Sequence, residues 1–76
     1  SFLRDFQKAM GTSPIAYLMQ LRIQYAARLL RHEELSISEI AFRAGFSDSN
    51  YFSRQFRKVL GIPPREYRRQ RYKLPK

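Results

Sequence analysis

The sequence predicts an all-α protein assembled from a repeated unit. Three observations carry that expectation. Apolar residues recur at helical spacing along most of the chain, the helical runs are cut by glycine stops and proline starts, and the chain matches itself after a shift of fifty residues. At 76 residues there is room for one small domain. Hydrophobic residues make up 43%, with six Phe and five Tyr, too apolar for a disordered basic tail, yet a chain this short buries only about 60% of its unfolded surface. A thin core is expected.

Phe2, Phe6, Ala9 and Met10 share one helical face and Gly11 follows as a stop, so the chain opens inside a helix. Ser13-Pro14 supplies an N-cap with proline in the first helical position, and the next run continues without Gly or Pro from Pro14 to about Arg31. At 1.5 Å per residue this helix would be about 27 Å long. Leu18, Leu21, Tyr25, Ala26, Leu29 and Leu30 form a broad stripe that Ile15, Met19 and Ile23 widen, as expected of a helix buried on two sides.

Ser36-Ile37-Ser38-Glu39 reads as a capping box in which Glu39 reaches back to the Ser36 amide. It starts a short helix with Ile37, Ile40, Ala41 and Ala44 on its apolar face. Gly45 ends that helix and Phe46 anchors the turn. Asp48 is the N-cap of the next helix, in which Phe52, Phe56, Val59 and Leu60 face inward until Gly61. Pro63-Pro64 then admits a final segment from about Pro64 to Tyr72, ahead of a frayed tail.

The repeat gives these elements an order. Residues 1–22 align without a gap on residues 51–72, with identities at Phe2/Phe52, Arg4/Arg54, Phe6/Phe56, Lys8/Lys58, Gly11/Gly61, Pro14/Pro64, Tyr17/Tyr67 and Gln20/Gln70. Average composition would give about one or two matches, and these fall on core, stop and cap positions. Residues 36–50 precede the second copy and have no counterpart before residue 1. The chain is therefore expected to be a fragment, divided into an incomplete first unit with its linker helix (1–35) and a complete second unit with a C-terminal helix (36–76).

Composition narrows the function. There is no Cys and a single His, which leaves little basis for a metal site, a cofactor or a nucleophilic triad, and no acid/base pair suggests an enzyme. No apolar run approaches the roughly 18–20 residues of a membrane span and no signal peptide opens the chain, so it reads as cytoplasmic. The formal charge is +9. Residues 1–50 contribute +1 and residues 51–76 contribute +8, and eleven of the fifteen cations are Arg, the side chain suited to phosphate and guanine edges.

The second unit joins a short helix, a Gly turn and a helix with one apolar and one cationic face. Ala41, Gly45 and Phe46 match the tight crossing of a helix-turn-helix. In the helix that follows, Asn50, Arg54 and Arg57 lie opposite Phe52 and Phe56, flanked by Ser49, Tyr51, Ser53 and Lys58. Arg reads guanine, Asn reads adenine, and Ser or Tyr reaches phosphate. Arg54 is either a base reader or a surface cation, and Arg57 and Lys58 are phosphate partners. Tyr51 is either a contact or a cover for the turn. Ser36 and Ile37 open a helix whose amides could hold a phosphate, although capping alone explains Ser36. Arg22, inside the linker stripe, reads as a structural cation that snorkels or pairs with a carboxylate.

The strings AGFSDSNYFSRQFRKVLGIPPREYR and GTSPIAYLMQLRIQYAARLL resemble the signature of the AraC/XylS family of bacterial transcription regulators, over nearly the whole chain. The resemblance implies two helix-turn-helix units joined by a long linker helix, binding double-stranded promoter DNA. It further implies activation or repression, contact with RNA polymerase, a place on the nucleoid, and a sensing or dimerisation domain outside this chain. Carried over, base contacts fall to Ser49, Asn50, Tyr51, Ser53 and Arg54, with Arg57 near the backbone. In the first unit Arg4 reads a base, and Lys8 takes a phosphate as the counterpart of Lys58. The sequence departs from the family pattern at Pro63, which replaces the usual Ser or Thr cap, and in the missing opening helix of the first unit. A helical RNA-binding module and an amphipathic membrane-surface protein are the rival readings. Against the first, most Phe residues sit at core spacing rather than on a stacking platform, and the second does not predict the repeat.

Overall fold

The computed structural model describes Ala9 and residues 11–71. Four helices and no strand are present among these residues: α1 Pro14–His32, α2 Ile37–Arg43, α3 Ser49–Leu60 and α4 Pro64–Gln70. Each boundary has a local cause. Ser13 is extended and its hydroxyl accepts from the Ala16 amide at 3.1 Å, with Pro14 in the first turn of α1. Ser36 caps α2 by accepting from Glu39 N at 3.1 Å, and the Asp48 carboxylate caps α3 by accepting from Asn50 N at 2.8 Å. α4 has no side-chain cap, because Pro63 stands where a hydroxyl would serve.

The repeat is visible in the backbone. Gly11 and Gly61 both adopt the left-handed conformation, at φ 73° and 86°, which only glycine enters without strain. Each is followed three residues later by the proline that begins a helix, α1 at Pro14 and α4 at Pro64. The Gly-x-x-Pro junction is thus one piece of local structure used twice, fifty residues apart.

α2, α3 and α4 all pack on one side of α1. The core consists of Ile23, Ala26, Ala27 and Leu30 from α1, Ile40, Ala41 and Ala44 around α2, Phe46 from the turn, and Phe52 and Phe56 from α3. Small residues at 26, 27, 41 and 44 let the backbones approach, and the aromatic rings fill the space between them. Phe46, Phe52, Phe56 and Tyr67 form a continuous series of tilted and edge-to-face contacts, with successive ring centroids 5.2, 5.7 and 5.4 Å apart.

Four local expectations are corrected. The buried face of α1 is centred on Ile23, Ala26, Ala27 and Leu30, while Leu18, Leu21 and Tyr25 are 44–46% exposed and Ile15 is exposed too. Val59 and Leu60 are also exposed, and Val59 borders an open groove between α3 and the first turns of α1. Glu39 does not complete a reciprocal capping box. Its carboxylate turns forward to Arg43 Nε at 3.3 Å, an i,i+4 ion pair that competes for the same oxygens. Arg22 has no carboxylate partner among the described residues, where the ion pairs are Arg43–Glu39, Arg69–Glu66 and Arg71–Glu34. The end of the last segment, at Tyr72, lies outside the described residues.

Candidate nucleic-acid interface

α2 and α3 meet through a turn closed by two backbone bonds: Gly45 N donates to Phe42 O at 3.0 Å and Phe46 N donates to Ala41 O at 2.9 Å. This is the Schellman arrangement, which satisfies the last carbonyls of α2 and delivers a hydrophobic residue back to the helix it ends. Gly45 is favoured by its backbone conformation and has a side chain close above it. Its φ is +96°, and a Cβ there would lie 3.1 Å from Arg22 Nε and 3.3 Å from Arg22 Cζ. Arg22 therefore lies flat across the turn, and the linker helix is laid directly on the joint of the helix-turn-helix.

The turn fixes the rotation of α3. With Phe52 and Phe56 fully buried, the 100° step of the helix puts Arg54 diametrically outward, with Asn50 and Arg57 on one side of it and Lys58 and Tyr51 on the other. Asn50, Arg54, Arg57 and Lys58 are exposed. None of the three cations has an ion-pair partner among the described residues. α3 itself carries no carboxylate, and the nearby Asp48 is engaged as its cap. The outward face is thus uniformly positive.

Two grooves flank α3. Ser49, Asn50 and Ser53 line one, of about 510 Å³, together with Ile37 and Ser38 from the start of α2 and the first residues of α4. Tyr51, Gln55 and Lys58 line the other, of about 540 Å³, against the first turns of α1. Tyr51 covers the turn and is still accessible from solvent. Its ring lies 6.1 Å from that of Phe46, covering the turn, and it remains 41% exposed at the groove. Ser36 is exposed with its hydroxyl committed to the cap, and Ile37 is half-buried. The structure therefore brings Ser36, Ile37, Ser49, Asn50, Tyr51, Ser53, Arg54, Arg57 and Lys58 around one helix. Arg4 and Lys8 lie outside the described residues.

The cations of α4 divide differently from the sequence expectation, which pooled them with the polyanion-binding excess. Arg68 donates to the Leu35 carbonyl. Arg71 donates through Nη1 to the carbonyls of Leu30 and Glu33, both at 3.1 Å, and through Nη2 to Glu34. Arg31 in turn donates to the Tyr67 hydroxyl. The Leu30 carbonyl is in the last turn of α1, where no intrahelical donor is available and a cation is favoured by the helix dipole. Arg71, the C-cap of α4, thus closes the end of the linker helix, and Arg68 of α4 holds the loop that follows it. A signal for this was present in the sequence: Pro64, Tyr67, Arg68 and Arg71 follow the i, i+3, i+4, i+7 spacing of an inward face.

Comparison with known proteins agrees with this geometry. The helix-turn-helix domain family profile matches residues 1–70. The chain is 37% identical to a transcriptional regulator of Chromobacterium violaceum with an AraC-type DNA-binding domain, with a TM-score of 0.91 over 96% of this chain and 65% of that one. The chain belongs to the AraC/XylS family of helix-turn-helix DNA-binding domains. Another AraC/XylS relative of known structure, the DNA-binding domain of the global transcriptional factor AdpA in complex with a target DNA, is 34% identical with a TM-score of 0.90, over 99% of this chain and 68% of that one. The Escherichia coli transcriptional activator RhaS is 46% identical over 68 residues, which are 90% of this chain and 24% of RhaS. The chain thus spans about a quarter of the length of these curated relatives. An AraC/XylS DNA-binding domain is not an enzyme. Among the described residues no group of His, Asp and Glu is arranged to hold a metal, and no helix is long and apolar enough to cross a membrane.

Proposed function

We propose that this domain binds bacterial promoter DNA with α3 in the major groove. The observation that carries the proposal is the outward face of α3, where Asn50 is exposed and Arg54 and Arg57 stand without ion-pair partners among the described residues, opposite the buried Phe52 and Phe56. Ser49, Asn50, Tyr51, Ser53 and Arg54 contact bases, and Arg57, Lys58, Ser36 and Ile37 contact phosphates. Residues 36–76 act as one reading unit and residues 1–35 as the other, in which Arg4 reaches a base and Lys8 a phosphate. α1, with 19 residues, is about 28 Å long, so it can set the two units close to one turn of DNA apart, about 34 Å.

The target DNA bound to AdpA supports duplex binding, and the activator role of RhaS supports transcription activation. In the whole protein this domain works at the nucleoid, beside RNA polymerase and under a sensing or dimerisation domain. The test is selection from a random duplex pool. Convergence on one motif bound at least about 10³-fold more tightly than random duplex is expected. Equal affinity for random duplex, or preference for RNA of the same length, would overturn the reading.

A further inference from the structure

The geometry points to Arg65 as a second backbone clamp for DNA, gripping the strand opposite to the one held by Lys58. The inference rests on the DNA-binding reading above and extends it to α4. Among the cations of that helix and its C-cap, Arg68 is spent on a main-chain carbonyl of the loop after the linker helix, Arg71 on carbonyls at the end of the linker helix, and Arg69 faces Glu66 at 3.7 Å. Arg65 is exposed and has no ion-pair partner among the described residues. It lines the same groove as Ser49, Asn50 and Ser53 of the recognition helix.

Its backbone is firmly placed, because Pro64 is buried and Pro63 and Pro64 both hold φ near the helical value. Glu66 also borders the groove, but its carboxylate is turned toward Arg69. The strand assignment follows from size. A helix with its side chains is about 10–12 Å across and the major groove is about 12 Å wide, so the two phosphate chains pass along the two flanks of an inserted helix. One flank of α3 is the groove holding Arg65, and the other is the groove holding Lys58. A cation thus stands at each flank, and each meets a different strand.

The experiment compares the protein with its Arg65→Ala and Lys58→Ala variants on a selected duplex, across salt concentrations and with single phosphates replaced by neutral methylphosphonates. Arg65→Ala is expected to weaken selected and random duplex by the same factor and to reduce the salt slope by about 0.9, so that its deficit relative to wild type shrinks about 3.5-fold between roughly 50 and 200 mM salt. It should also become insensitive to one neutral phosphate on one strand, while Lys58→Ala loses sensitivity to one on the other strand. Arg65→Lys should restore the salt slope, and an unchanged melting temperature separates the effect from misfolding. If wild type prefers its selected duplex and Arg65→Ala leaves the slope and phosphate profile unchanged, the clamp is wrong and the DNA-binding reading stands. Loss of sensitivity to phosphates on the same strand for both variants overturns the opposed-strand geometry. A wild type with no duplex preference overturns both.

Discussion

Arg54 and Arg71 are the same side chain on two neighbouring helices, and the fold gives them opposite surroundings. Arg54 projects from the centre of the outward face of α3 without an ion-pair partner among the described residues. Arg71 is 11% exposed at the side chain and donates to two carbonyls and a carboxylate at the end of α1. The difference lies in what the helix opposite provides. The inner face of α3 meets apolar rings and leaves its cations outside, whereas the inner face of α4 meets a helix terminus whose carbonyls lack donors. Positive charge on this domain is therefore of two kinds, one without an ion-pair partner among the described residues and one already engaged by the fold.

Four variants sharpen or break that division. Phe56 supports both sides of it, since it is fully buried beneath α3 and its ring lies 5.4 Å from that of Tyr67 on α4. Phe56→Ala is expected to cost about 3–5 kcal/mol of stability, read by denaturant unfolding, and to abolish DNA binding as a consequence. Arg54→Ala should leave the unfolding midpoint in place while costing about 1–3 kcal/mol of affinity for the selected duplex, with relaxed preference at a single base pair. Equal loss on selected and random DNA would move Arg54 from the base edges to the backbone.

Arg71→Ala should do the reverse, with about 1.5 kcal/mol lost from stability and the motif preference retained. A measured preference that collapses while stability holds would erase the distinction between the two arginines. The smallest effect is expected at Glu39, whose pair with Arg43 is exposed on both sides, at 51% and 46%. Glu39→Gln should change stability by less than about 0.5 kcal/mol, measured by the same unfolding curve, because water and salt screen such a pair.

What could be read before the structure was what depends on local chemistry. Ser13, Ser36 and Asp48 are caps, Gly45 and Gly61 are left-handed stops, and Phe46, Phe52 and Phe56 are core, each for reasons contained within a few neighbouring residues. The outward placement of Asn50, Arg54 and Arg57 follows from the same periodicity. Less legible was anything decided by the partner across the fold. The wheel of α1 offers a wide apolar arc, and nothing in that arc says that α2, α3 and α4 would all choose the side of Ile23 and Leu30 and leave Leu18 and Leu21 exposed. The spacing of Arg68 and Arg71 marks them as inward, but their acceptors were not legible, being main-chain carbonyls 33 and 41 residues away. Arg22 lies beside the backbone of Gly45 rather than beside a carboxylate of the described residues, a neighbour that no helical wheel shows.

The span between Arg71 and the Leu30 carbonyl also has a meaning in time. The donor is made 41 residues after the acceptor, which at about 5–20 residues per second of synthesis is a delay of about 2–8 s. During that interval the linker helix has a start, fixed by Ser13, but no finished end. The residues of the recognition helix are synthesised within the same interval, before the residue that bolts the end of its support in place.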